Sequence, residues 1–212
     1  MITVTELHKS FKGQEVLRGV DLTVDDGEKI MLLGRNGAGK TTLIRCMLGE
    51  YRPSSGSVVI DGVSPWDDRV SALKHISFVP QLPPPIKFTI SELIDYSSGI
   101  SGFDKNLVIE NCRKLELDIE PHLGKGFHKL SGGMKQKVLI SIAFARNTKT
   151  IIFDEPTANL DISGRETFRR LLDEAGESKT YIFISHRLEE FDGLASRAVE
   201  LDLGRIVKND KI

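Results

Sequence analysis

The run Gly34-Arg35-Asn36-Gly37-Ala38-Gly39-Lys40-Thr41 constrains this chain more than any other feature, because it follows directly on the unbroken apolar stretch Lys29-Ile30-Met31-Leu32-Leu33. An apolar run without alternation predicts a strand buried on both faces, and residues 41–48 have helical spacing, so the glycine-rich loop joins strand to helix. Glycines at these intervals let the backbone curl until several N–H groups face one anion, and the helix N-terminus adds a positive partial charge behind them. At its place in the pattern Lys40 would reach the β- and γ-phosphates of a nucleotide, and the Thr41 hydroxyl would ligate Mg2+. An accidental glycine-rich turn would account for neither the strand before it nor the helix after it.

Around that loop the chain organises as one α/β domain, residues 1–212. Residues 2–24 hold two stretches of alternating polarity about Lys12-Gly13-Gln14, which predict an antiparallel pair. Strands are predicted at 58–60, before the turn Asp61-Gly62, and at 76–79. Pro83-Pro84-Pro85 can continue neither a helix nor a central strand, and from 90 to about 145 the spacing is mainly helical, broken near 121–127. This predicts an inserted helical subdomain at about 82–148. Beyond it come a strand at 150–153, a helix at 164–175, a strand at 180–184 and a hairpin around Gly204 at 201–207; strands that recur after helices imply a parallel sheet. Residues 208–212 read as a loose polar tail.

Composition narrows the classes. With 212 residues and 40% hydrophobic content the chain can bury one sizeable core, and 29 basic against 30 acidic residues leave a net charge of -1, so no global field draws it to nucleic acid or anionic lipid. Its apolar runs fall well short of the roughly 20 residues of a membrane span. The first six residues lack the features of a secretory signal, and two cysteines, Cys46 and Cys112, cannot form a disulfide framework. A soluble protein of a reducing cytoplasm is the expectation.

A second chemical signal is Thr150-Ile151-Ile152-Phe153-Asp154-Glu155, an apolar strand ending in two carboxylates. In a parallel sheet these stand at the carboxyl edge, where the phosphate loop is also expected. For an isolated Asp-Glu pair a solvated turn is the plainer reading; beside a phosphate loop, Asp154 is a candidate metal ligand and Glu155 a candidate base for the attacking water.

Many nucleotide hydrolases share these two parts. Leu130-Ser131-Gly132-Gly133-Met134-Lys135-Gln136-Lys137 separates them: it resembles the signature of the ABC ATPases and heads an apolar helix, with Ser131 placed as N-cap. A structural cap explains the serine but not two consecutive glycines, whose bare backbone suits close approach to a phosphate. The resemblance extends along the chain. Gln81 looks like the Q-loop glutamine, Ala158-Asn159-Leu160-Asp161 resembles the D-loop, His186 resembles the switch histidine, and Phe11 looks like the aromatic that stacks on adenine.

The resemblance implies a P-loop NTPase fold of ABC ATPase type: an α/β protein with a mixed sheet core, an N-terminal antiparallel β-subdomain and an inserted helical subdomain. It implies ATP held by Phe11, by Gly34, Arg35, Asn36, Gly37, Ala38, Gly39, Lys40, Thr41 and Thr42, and by Ser131, Gly132, Gly133 and Asp161. Mg2+ would be held by Thr41, Gln81 and Asp154, with Glu155, His186 and Gln81 as the catalytic set. It further implies a homodimer, or paired ATPase subunits, closing over ATP, and transmembrane permease subunits that keep the chain on the cytoplasmic face of the membrane; the proline-rich residues 82–88 lie where this family docks its permease. Met134 departs from the glutamine commonest at that signature position. The signature and the short length look most like ATPase subunits of bacterial drug-export and copper-processing transporters.

Two rival classes fit less well. A cassette protein acting on DNA or ribosomes usually carries a coiled-coil insertion or two cassettes, whereas this chain shows one cassette, no heptad run and no basic patch, so no nucleic acid partner is expected. A P-loop kinase would have no use for Ser131-Gly132-Gly133.

Overall fold

The computed structural model describes residues 1–212 except Glu177, Arg187 and the side chain of Leu188. In chain order the elements are β1 (Ile2–Phe11), β2 (Gln14–Val24), β3 (Lys29–Leu33), α1 (Lys40–Met47), β4 (Ser55–Ile60), α2 (Arg69–Leu73), β5 (Ile76–Val79), α3 (Ile90–Ser101), α4 (Asn106–Lys114), α5 (Gly132–Ala145), β6 (Thr150–Asp154), α6 (Ile162–Glu174), β7 (Thr180–Ile184), β8 (Arg197–Asp202) and β9 (Arg205–Lys211). They fall into two compact units, Met1–Ile76 with Lys179–Ile212, and Ser77–Ser178.

The first unit contains two β-structures. In the antiparallel sheet β2-β1-β4 the central strand sets Val4 between Leu22 and Val58, and all three side chains are buried. In the other, β3 runs parallel to β7 on one side and β8 on the other, so that Met31 pairs with both Phe183 and Ala198. Ile30, Met31 and Leu32 are fully enclosed, as an unbroken apolar strand must be. β9 adds antiparallel to β8 and makes the sheet mixed.

The predicted polar tail is therefore corrected: Lys208 to Lys211 continue β9, paired in register with residues 197–200 of β8. An exposed edge strand has no apolar face to advertise it, and its order comes from main-chain pairing supported by the bond from Arg197 Nε to Asn209 Oδ1 at 2.6 Å. The short α2 also went unpredicted; Asp68 caps it by accepting from the Ser71 N–H at 3.0 Å.

The second unit takes in the predicted helical insertion and extends past it, with β5 beside β6 and four helices. Ile90, Ile94, Val108, Cys112, Phe127, Val138 and Ile142 form one buried cluster. α3 opens with a full capping box, Thr89 and Glu92 each binding the other's backbone N–H. Phe153 of β6 stacks against Phe144 of α5 at 6.1 Å and meets Phe168 of α6 edge-on at 5.2 Å. Both cysteines are free and buried, and burial pushes each thiol up to about 11.

Removing the Phe153 ring, which is 0% exposed, empties the contact that joins α5 and α6 to β6. Phe153→Ala is expected to cost ~3–5 kcal/mol in urea denaturation; a loss below about 1 kcal/mol would show that the site collapses without cost.

Candidate functional site

In the first unit the glycine loop leaves β3 through Gly34, at φ +150, where an added Cβ would lie 2.3 Å from the Leu201 carbonyl oxygen. Only glycine passes there. The Ala38 N–H turns inward onto the Arg35 carbonyl at 3.1 Å, and the Ala38 methyl is buried. The Lys40 ammonium lies across the loop, donating to the carbonyls of Gly34 at 2.5 Å and Arg35 at 3.1 Å, with the residue only 9% exposed.

α1 starts at Lys40 with glycine as its N-cap, no side-chain cap and no acidic residue in its first turn. In α3, α5 and α6, by contrast, a Thr, Ser or Asp side chain occupies that place. An uncapped helix N-terminus behind a curled loop, with an ammonium laid over it, is a built anion site, and a polyphosphate fits it. Arg35, Asn36, Gly37 and Thr41 are exposed at this loop and Thr42 is half-buried.

The back of the loop is supported by a turn 166 residues beyond Ala38. Gly204, between β8 and β9, donates its N–H to the Ala38 carbonyl at 3.0 Å and accepts from the Arg18 N–H at 2.9 Å. No motif marks Gly204 or Leu201, since both act through backbone atoms. His186 follows β7, whose Ile184 pairs with Leu32 and whose next N–H, from Ser185, reaches the Leu32 carbonyl at 3.3 Å. The histidine thus stands exposed beside the end of β3, next to the loop's root. Phe11 ends β1, 38% exposed, edge-on to Tyr51 at 5.1 Å with the Lys9 ammonium 4.8 Å from its ring centre.

In the second unit β6 delivers Asp154 half-buried at its last position. Glu155 turns the chain with φ 46 and is 8% exposed. A left-handed residue with a Cβ costs roughly 1–2 kcal/mol, and its effect is to break the strand's alternation where the two carboxylates part. The turn closes through the Ala158 N–H on the Glu155 carbonyl at 3.1 Å and the Leu160 N–H on the Thr157 carbonyl at 3.1 Å.

The signature, Q-loop and D-loop segments meet through Asn159. Its side-chain amide donates to the Gln81 carbonyl at 3.4 Å, its Oδ1 would lie 3.6 Å from a Cβ on Gly132, and its backbone oxygen would lie 2.9 Å from one on Gly133. Gly133 is therefore needed for the approach of the Asn159 backbone, whereas a Cβ on Gly132 would make only ordinary contact with the asparagine side chain. Ser131 caps α5, its hydroxyl oxygen accepting from the Met134 N–H at 3.2 Å, while the Met134 side chain packs on the helical core. Asp161 caps α6 through the Gly164 N–H at 2.9 Å. Ser131, Gly133, Met134, Lys137, Asn159 and Asp161 help to line a cavity of about 340 Å³.

Strand, glycine loop and uncapped helix define a P-loop nucleotide-triphosphate-binding protein. Residues 17–158 match the family model described as ABC transporter. The chain is 34% identical over 209 residues to the energy-coupling factor transporter ATP-binding protein EcfA2 of Clostridium perfringens, covering 92% of this chain and 73% of that protein. Among solved structures it is similar to the ATP-binding subunit of an ABC transporter, with TM-score 0.90, 26% identity and coverage of 100% and 90%. It is also similar to a dimeric post-hydrolysis ATP-binding cassette bound to ADP and Pi, with TM-score 0.84, 25% identity and coverage of 100% and 98%. The chain belongs to the ABC transporter family, as an ATP-binding and ATP-hydrolysing cassette.

A Cβ at Gly204 would stand 2.2 Å from the Val16 carbonyl oxygen on a backbone at φ +81. Gly204→Ala is expected to lower the melting temperature and to weaken ATP binding about tenfold by shifting the Ala38 carbonyl's donor. Unchanged nucleotide affinity in fluorescence titration would remove the turn from any part in shaping the loop.

Proposed function

We propose that two copies of this cassette, or this chain and a paired ATPase subunit, close head to tail over ATP and drive a separate transmembrane permease. In this reading Gly34 to Thr42 cradle the phosphates, Lys40 neutralises the β- and γ-phosphates and Phe11 stacks on the adenine. Thr41, Asp154 and Gln81 hold Mg2+. A hydroxyl, one carboxylate and an amide are too few for an all-protein cage, which suits an ion that keeps waters and takes phosphate oxygens as its other ligands. Glu155 accepts a proton from the attacking water, and His186 steadies the γ-phosphate.

The observation that carries the shared site is the head of α5. Ser131 and Gly132 are exposed, and the Ser131 oxygen accepts from Met134, which leaves its hydroxyl proton available to donate. Serine proton, bare glycine backbone and helix N-terminus together form a second anion-facing corner, open to the γ-phosphate bound by another subunit, with Asp161 at its border.

The permease contact is assigned to the proline-rich residues 82–88 and the adjoining face of α3. Leu82 is 79% exposed, and Phe88 and Tyr96 are exposed with ring centres 5.7 Å apart, an apolar surface on stiff backbone. Among the described residues no helix is long and apolar enough to cross a membrane. The partner supplies the membrane spans, and the cassette lies peripherally on the cytoplasmic face.

Glu155→Gln is expected to retain ATP binding while phosphate release falls by roughly two to four orders of magnitude, the scale of a lost general base. Turnover near the parent's would take Glu155 out of that role. Ser131→Arg is expected to leave nucleotide binding by the monomer intact and to abolish the ATP-dependent dimer on a sizing column. A dimer that survives the substitution would contradict the shared site.

A further inference from the structure

Gln136 sits in the second turn of α5, 0% exposed, and among the described residues neither its Oε1 nor its Nε2 has a hydrogen-bond partner. A buried amide left this way is costly, and no packing need explains it, since an apolar side chain of the same length would fill the place at no such cost.

The helix face on which it stands is defined at both ends. Gly133, one turn before Gln136, lies against the Asn159 backbone oxygen, which an added Cβ would approach to 2.9 Å. Ile140 follows one turn later, and then Ala143 and Phe144. The Ala143 carbonyl accepts from the Ser77 hydroxyl of β5 at 3.5 Å, and the Phe144 ring meets Phe153 of β6 at 6.1 Å. Residues at intervals of three and four share one face of a helix. The stripe Gly133, Gln136, Ile140, Phe144 therefore runs along the chain from Asn159 back to Phe153, and Gln136 falls opposite the segment between them, residues 154–158. That segment holds Asp154 and Glu155, with Glu155 in the left-handed region.

We infer that Gln136 is a positioning residue for the hydrolytic turn. Its amide offers one acceptor and a pair of donors to the backbone of residues 154–158, and it pairs with that backbone when the turn shifts into its hydrolytic arrangement. The unpaired amide raises the energy of the resting turn, and pairing lowers that of the shifted one, so the residue biases the turn toward catalysis. Signature helix and catalytic carboxylate are thereby coupled within one unit: a subunit that engages Ser131 and Gly132 moves the helix that carries Gln136. The inference rests on the role proposed for Glu155.

The test is Gln136→Met in the full chain, which keeps length and volume and removes the amide. Steady-state phosphate release, titration with a fluorescent ATP analogue and thermal melting without nucleotide are measured together. The expected result is a kcat lowered about tenfold or more, as for a misplaced catalytic group, with nucleotide affinity held within about twofold and a melting temperature equal to or above the parent's because a buried unpaired amide is gone. A purely structural amide would instead lower melting temperature and kcat together, and a residue without a role would leave kcat at the parent value; either result overturns the inference. Gln136→Leu repeats the measurement on a second apolar side chain. Turnover by the parent and its loss in Glu155→Gln test the base separately, so the two readings fail independently.

Discussion

A nucleotide's phosphates carry their charge in a small volume, and a protein can meet it with backbone N–H groups only if the chain is forced into a curl that side chains forbid. Here the Leu201 carbonyl oxygen lies 2.3 Å from where a Cβ on Gly34 would stand, and the turn at Gly204 holds the Ala38 carbonyl from behind. The loop's form is thus fixed by backbone contacts from a hairpin far along the chain, and the uncapped start of α1 leaves its dipole available to an anion. In the first unit His186 follows from β3: β7 pairs along it and sets the histidine beside the loop's root, whereas Phe11 comes from the end of β1 in the antiparallel sheet.

The second unit applies the same economy to its own turn. Bare backbone at Gly133 lets the segment around Asn159 come close, and Asn159 in turn holds the Gln81 carbonyl. Three short motifs, at Gln81, at Ser131 to Gly133 and around Asn159, are tied by that one asparagine. Side-chain caps at Ser131 and Asp161 shape the helices on either side, as the sequence suggested for Ser131 and did not for Asp161, so both residues carry local structure as well as their proposed place at the nucleotide. Their substitution alters both, which is why binding, dimerisation and turnover must be read separately.

Much of this was legible in the residues because buried parallel strands announce themselves as unbroken apolar runs. Lys29–Leu33, Thr150–Asp154 and Thr180–Ile184 are such strands, and glycine and proline mark the turns between elements. The start of β9 was read within the hairpin at 201–207, but its continuation through residues 208–211 was not legible, since an exposed edge strand of polar residues has the composition of a tail. The hairpin around Gly204 was legible, but the support that Gly204 and Leu201 give the loop was not, because it comes from a backbone N–H and a carbonyl. Asn159 stood within a recognisable motif, but its link to Gln81 depends on a fold that brings the two together, and Gln136 lay inside the signature as one more polar helix residue until its burial was known.

The account turns on a site assembled from two chains, and complementation between two defective chains tests it most directly. Lys40→Ala removes the cradle's cation and leaves the serine corner intact, and Ser131→Arg does the reverse. Each is inactive by itself, but mixing them creates one interface in which an intact Lys40 loop faces an intact Ser131 corner. Phosphate release from the equimolar mixture should rise well above the sum of the separate preparations. A mixture no more active than that sum would mean that every functional part of the site comes from the same chain.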